Sequence, residues 1–151
     1  MKKFKLSSKG FNLVELLVVM AIIAVLVGIL IYTINAARLQ QRNTQRRSIM
    51  NTARAALEAY YAKNKDYPGT VGSAMQVSTM LASGGQLNIY APGIDAANSE
   101  DPSSQPTRLC YSKRSRTQYY MYTVTEPTPA PAACSTADPS GITGAEDFSV
   151  R

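Results

Sequence analysis

Apolar side chains concentrate in one uninterrupted run near the start of the chain and then thin into a repeat. Across residues 11–34 the only charged side chain is Glu15, and residues 16–34 are 19 consecutive positions without a formal charge. At ~1.5 Å rise per residue, such a run makes about 29 Å of helix, close to the ~30 Å hydrocarbon thickness of a bilayer. The pattern then changes character without a break. Ile49, Met50, Ala53, Ala56, Leu57 and Tyr60 recur at spacings of three and four, while Arg42, Arg46, Arg47, Arg54 and Glu58 fill the other faces. That periodicity predicts an amphipathic helix with one buried stripe. No proline or glycine lies between residues 29 and 67, so both stretches are expected to form one helix over about residues 11–65. It would be on the order of 80 Å long, closed by Asp66-Tyr67-Pro68-Gly69.

The remainder has short-range patterns only, and all eight prolines fall between residues 68 and 139. Residues 73–82 suggest a short helix stopped by Gly84-Gly85, residues 86–90 a short strand, and residues 91–107 a loop punctuated by Pro92, Gly93, Pro102 and Pro106. The clearest strands are residues 108–112 and 118–125. In the second, Tyr120, Tyr122 and Val124 alternate with Tyr119, Met121, Thr123 and Thr125, the period of a half-buried strand. Lys113-Arg114-Ser115-Arg116 would be the turn between them. Residues 126–151 read as irregular, with Pro127, Pro129 and Pro131 favouring extended backbone. The expected class is α+β: a long N-terminal helix, transmembrane in its first half and amphipathic in its second, packed on a small antiparallel sheet.

Composition narrows the chemistry. Outside the apolar run, the 151-residue chain is too short and too rich in Ser, Thr, Pro and Gly to enclose a deep enzyme core. Histidine is absent, which removes the commonest general base, the commonest zinc ligand and every Ser-His or Cys-His arrangement. No enzymatic activity, metal or cofactor is expected. The net charge of +6 is unevenly spread. Lys2, Lys3, Lys5 and Lys9 open the chain, residues 35–65 hold seven basic groups against Glu58, and residues 66–151 hold five basic against eight acidic. Lys113, Arg114 and Arg116 beside Tyr111, Tyr119 and Tyr120 form a candidate DNA contact, phosphates meeting cations and bases meeting rings, although a solvated hairpin turn is the commoner use of such residues. Asp95, Glu100, Asp101, Asp138, Glu146 and Asp147 lack the ligand spacing of a calcium loop. Cys110 and Cys134 are the only cysteines. They form either one disulfide or two free thiols, and a bridge would close a loop of about 25 residues, contributing roughly 3 kcal/mol on the chain-entropy account.

The junction before the apolar run carries the most specific signal. A cleaved secretory signal would have a shorter apolar stretch and an A-x-A-like site, which Asn35-Ala36-Ala37 imitates poorly. Basic residues flank the run on both sides, so the positive-inside rule does not settle its orientation. Glu15 is out of place by ordinary criteria, because an acid at a bilayer centre costs about 3 kcal/mol and less near the edge. A cut between Gly10 and Phe11 would create an amine four residues from Glu15, on the same helix face. The helix dipole favours a carboxylate at that end. The two charges would attract strongly in apolar surroundings, within one chain or between neighbours.

Lys9-Gly10-Phe11-Asn12-Leu13-Val14-Glu15, joined directly to the apolar run, resembles the prepilin signature of type IV pilins and of the related pseudopilins of type II secretion. The resemblance covers roughly residues 2–34. It implies that a membrane prepilin peptidase cleaves after Gly10 and methylates the Phe11 amine. It also implies that Glu15 pairs with the Phe11 amine of an adjacent subunit, as an assembly platform and motor draw monomers from the inner membrane into an extracellular helical filament. Residues 60–68, ending in Tyr67-Pro68, resemble the helix end of many pilin-like proteins. A bridge between Cys110 and Cys134 would resemble the disulfide-bounded C-terminal region of many pilins. Many relatives carry a helix-distorting proline near the place of Tyr32; here Gly28 is the only weak point in the run. The expected organisation is a leader (1–10), a membrane or filament-core helix (11–34), an amphipathic spine (35–65) and a head (66–151). The expected function is a structural homo-oligomer, a type IV pilus-like filament subunit. A type II secretion pseudopilin and a DNA-binding minor pilin of a competence pilus are the alternatives, and no separate motif marks adhesion, motility, DNA uptake or secretion.

Overall fold

A computed structural model describes residues 12–91 and 100–149. The chain divides into two compact units, one ending at Arg38 and the other comprising Leu39–Arg151. Helix α1, Leu13–Asn64, runs for 52 residues, close to the span expected from the absence of breakers. It stops where Lys65 turns into the left-handed region with φ 57°, its N–H still donating to Tyr61 O at 2.8 Å. Pro68 then forbids further helix.

In the second unit, α1 is followed by β1 (Ala74–Gln76), α2 (Val77–Leu81), β2 (Leu109–Lys113), β3 (Tyr119–Val124) and β4 (Ala145–Asp147), with short 3-10 turns at Asn88–Tyr90, Pro106–Arg108 and Pro139–Gly141. The four strands form one antiparallel sheet in the order β1-β2-β3-β4. The stripe predicted on α1 is its buried face. Met50, Ala53, Ala56 and Leu57 pack with Leu81, Leu87, Leu109, Tyr111, Tyr119 and Met121 in the main core. The end of the helix is tied in by aromatic contacts: Tyr67 stacks on Tyr61 with centroids 4.8 Å apart and meets Tyr119 edge-on at 4.7 Å. Tyr111 donates its hydroxyl to Pro68 O at 2.9 Å. Burial, and then the nearby Glu58 carboxylate, push the Tyr67 phenol up to about 12.

The structure corrects the local reading in five places. Residues 73–82 are only partly helical, because Ala74–Gln76 pair with Ser112, Tyr111 and Cys110 of β2. Residues 86–90 are not a strand: the Leu87 N–H turns back to Met80 O at 2.9 Å and the chain coils into a 3-10 turn. Gly85 permits that reversal, since a Cβ there would lie 2.3 Å from Met80 O. Residues 126–151 are not wholly irregular, because β4 adds to the edge of β3 and Phe148 N donates to Met121 O at 2.8 Å. Strand β3 is covered on both faces; Cys110, Tyr122 and Val124 form a second small cluster with Cys134, Ile142 and Ala145 from the C-terminal region. Lys113 belongs to β2, and the hairpin turn is closed by the Arg114 and Ser115 N–H groups, each donating to Gln118 O at 3.0 Å.

The largest departure is Arg46. The repeat places it on a polar face of α1, yet it is fully buried. Its Nε donates to Asp101 Oδ2 at 2.5 Å, and its Nη2 reaches Asp101 Oδ1 at 3.1 Å, Ser103 Oγ at 3.0 Å and Glu126 Oε1 at 2.6 Å. Its Nη1 donates to Asn43 Oδ1 at 2.6 Å. Arg42 forks onto Glu126 from one turn earlier. Asn43 clamps the backbone beside that carboxylate, donating to Glu126 O and accepting from Glu126 N, both at 2.9 Å. Burial opposes ionisation of Asp101, but hydrogen bonds from Arg46 and Ser103 outweigh it and hold the acid below its ordinary range. Hydrogen bonding from Arg42, with Arg46 behind it, draws Glu126 from an ordinary 4.5 to about 2.

Two outcomes are expected for the full-length protein in detergent. Arg46→Met keeps much of the volume but strands the buried Asp101 carboxylate and leaves Glu126 to Arg42 alone, so denaturant melts should show a loss of about 3–5 kcal/mol; a change indistinguishable from zero would mean that Asp101 does not depend on this arginine. Because the folded state depresses the Glu126 pKa, its contribution is complete above 4.5 and is lost as pH falls toward about 2. The denaturation midpoint should be flat on the neutral side of that window and fall within it.

Candidate functional site

The N-terminal unit is a helix whose start is built locally. Asn12 precedes the first helical residue, its side-chain oxygen accepting from Val14 N at 3.3 Å and its carbonyl from Leu16 N at 3.2 Å, the arrangement of an N-cap. Glu15 lies in the first turn, where unpaired N–H groups and the helix dipole favour a negative charge. Beyond it the surface is apolar on every side. None of the 18-residue apolar window is buried, and Leu17, Ile22, Leu26 and Ile29 are each more than half exposed. Helical backbone satisfies its own polar groups, and the Thr33 hydroxyl donates to Leu30 O at 2.9 Å, so this surface is suited to lipid or to other helices and unsuited to water. A Cβ added at Gly28 would meet nothing within 4 Å, so packing within the chain does not explain that glycine. Gly10 and Phe11, the predicted cleavage and methylation positions, lie outside the described residues, as does the Phe11 end of the predicted pair with Glu15.

The C-terminal region is fastened to the sheet. Cys110 on β2 and Cys134 are bridged, with Cα atoms 5.4 Å apart. Nearby, Ser135 N donates to the Tyr122 hydroxyl at 2.8 Å. Arg47 of α1 forks onto Glu146 of β4. Of the acids weighed for calcium, Asp101 and Glu146 are thus held by arginines and Asp138 accepts from Ser140 N at 2.9 Å. Asp95 lies outside the described residues, among which no group of three or more His, Cys, Asp or Glu is placed to hold a metal.

The basic hairpin residues do not share one surface role. Lys113 is buried, with Nζ 2.8 Å from Asp66 Oδ1 and donating to Gly69 O at 3.3 Å. It braces the turn after α1, and its hydrogen bond is the main reason the Asp66 carboxyl sits below its ordinary value. Arg114 is exposed, with its guanidinium 5.0 Å from the Tyr120 ring centroid, and Arg116 is exposed at the tip. The residues that sequence reasoning missed are Asn43, Arg46, Arg108 and Glu126. Arg46 meets partners 55 and 80 positions away, a separation at which no local pattern gives a signal.

With this geometry in hand, two comparisons agree. Residues 5–31 match the prokaryotic N-terminal methylation motif. The chain is 39% identical over 77 residues to the type IV wide pilus major component PilA4 of Thermus thermophilus, an alignment covering 51% of this chain and 57% of that protein. Both matches are to type IV pilin-like sequences. The chain spans a little over half the length of the relative it matches. No solved structure matches it.

The bridge gives the head a measurable dependence on redox state. Replacing both cysteines with serine should lower stability by about 3 kcal/mol and speed proteolysis of residues 126–149. Equal protease resistance with and without reductant would show the bridge to be idle.

Proposed function

We propose that this chain is a type IV pilin, a structural subunit of a type IV pilus-like filament, made as a membrane-anchored precursor. The observation that carries this reading is the exposed apolar helix with Glu15 in its first turn, placed directly within the stretch that matches the methylation motif. Prepilin peptidase would cut between Gly10 and Phe11 and methylate the new amine. While the precursor waits in the inner membrane, lipid covers the apolar helix. On assembly the same surface packs against identical helices, so lipid contacts are exchanged for protein contacts at small net cost.

Glu15 supplies what greasy packing lacks, a fixed register. Apolar surfaces slide past one another with little penalty, whereas a carboxylate in hydrocarbon is costly until it meets a cation. The Phe11 amine of a neighbouring copy is such a cation, and pairing there allows one stagger between helices and penalises the rest. The assembly platform and motor would act on the membrane pool. The name of the Thermus relative, a major pilus component, favours a pilus over a secretion pseudopilus. The involvement of Lys113 in bracing the fold weakens a DNA-binding reading of the hairpin.

The test is Glu15→Ala in the native host. The variant should still insert in the membrane and accumulate, and should yield few or no filaments by electron microscopy. Mass spectrometry of unsubstituted filaments should find a chain beginning at Phe11 and one methyl heavier. Normal filaments from the variant would remove the registration role; an intact Met1 terminus in filaments would remove the processing step.

A further inference from the structure

Arg108 ends the 3-10 turn that leads into β2, and only 6% of it is exposed. Its Nη1 donates to Val124 O at 3.0 Å, while its Nε is buried with no hydrogen-bond partner. Among the described residues, the other buried cations, Arg46 and Lys113, are both matched to carboxylates, and Arg108 is in none of the ion pairs. An arginine does not escape such a position by losing its proton. Burial, and next the charge on Arg46, disfavour the cation further.

Arg108 is one of the residues lining a pocket of about 640 Å³, with Arg42, Ser103, Gln105, Glu126 and apolar residues. That volume is in the range of small-molecule sites, ~300–1,000 Å³. Glu126 does not answer Arg108, because both its oxygens are engaged by Arg42 and Arg46. The local cluster therefore holds three guanidinium groups, on Arg42, Arg46 and Arg108, against two carboxylates, on Asp101 and Glu126. Among the described residues, one positive charge is left over. The partnerless Nε and the Nη2 beside it form the side edge of the guanidinium, a two-donor fork that matches a planar carboxylate; Nε is covered by protein in this structure, so a ligand reaches both donors only as the covering side chains shift.

We propose that this pocket binds a ligand through one carboxylate group, held side-on by Arg108, with Gln105 and Arg42 at its rim. A monoanion balances the local excess, whereas a dianionic phosphate would overshoot it beside Glu126. Two sources share that chemistry: a small organic acid, or an acidic group of a second copy of this chain. Neither depends on the registration role of Glu15.

The experiment is a titration of the ¹⁵N-labelled full chain in detergent micelles with acetate and then benzoate, following the Arg108 Nε–Hε resonance, against chloride at equal ionic strength. Both carboxylates should shift that resonance saturably and chloride should not. Drift that never saturates, or the same drift with chloride, overturns the site. Arg108→Lys keeps the charge and removes the fork, so benzoate affinity should fall about tenfold or more; unchanged affinity also overturns it. If that variant fails to fold, the titration of the unsubstituted chain still decides. Radiolabelled benzoate binding to filaments then identifies the source: uptake retained on assembly means a free acid, and uptake lost on assembly means that a second copy fills the pocket.

Discussion

A charge with no exposed surface leaves its surroundings little freedom, and Arg46 is such a charge. Its guanidinium joins three stretches far apart in the chain: the amphipathic part of α1, the turn at Asp101 and Ser103, and the residue leaving β3, Glu126. Nη1 serves Asn43 on the helix, Nε and Nη2 together serve the Asp101–Ser103 turn, and Nη2 also reaches Glu126. Shifting any one stretch by a residue would strand a carboxylate or a donor in the interior, at far greater cost than misplacing a leucine. Net stability from such an arrangement is modest, since desolvation offsets most of the attraction. Its effect is on position, because few alternative packings satisfy all of these groups at once.

The two units solve opposite problems. The head carries its own counterions: Arg46 with Asp101 and Glu126, Arg47 with Glu146, Lys113 with Asp66, and the Cys110–Cys134 bridge across the second cluster. It is closed on itself except at Arg108, whose charge finds no acid among the described residues. The N-terminal helix has nothing of the kind. Its apolar window is wholly unburied and its one acid sits at the end of the run, so nothing within the described residues covers it. One chain thus combines a head specified by internal pairing with an apolar helix that has no such pairing among the described residues.

Part of this was legible from residue order alone. Nineteen uncharged positions, the Gly10-Phe11 junction with Glu15, the stripe from Ile49 to Tyr60 and the alternation in residues 119–124 are statements about neighbours along the chain. Helix and strand periodicity turn such statements directly into faces. The misreadings share one cause. Ala74–Gln76 became a strand because β2 offered its edge, and Ala145–Asp147 because β3 did. Residues 86–90 coiled because Leu87 was drawn back to α2. None of these partners follows from the local pattern.

The polar residues divide the same way. Glu15 stood out because a carboxylate beside an apolar run is anomalous wherever the chain folds. Arg46 did not stand out, because an arginine between arginines on an amphipathic helix looks solvated until Asp101 and Glu126 arrive. Lys113 looked like a free hairpin cation until Asp66 and Gly69 claimed it, and Arg108 had no sequence signal at all. Local order determined the apolar helix, the spine and the terminus that matches the methylation motif. Only the tertiary structure decided which charges were buried and with whom, because the cost of burying a charge depends on partners that folding alone brings into reach.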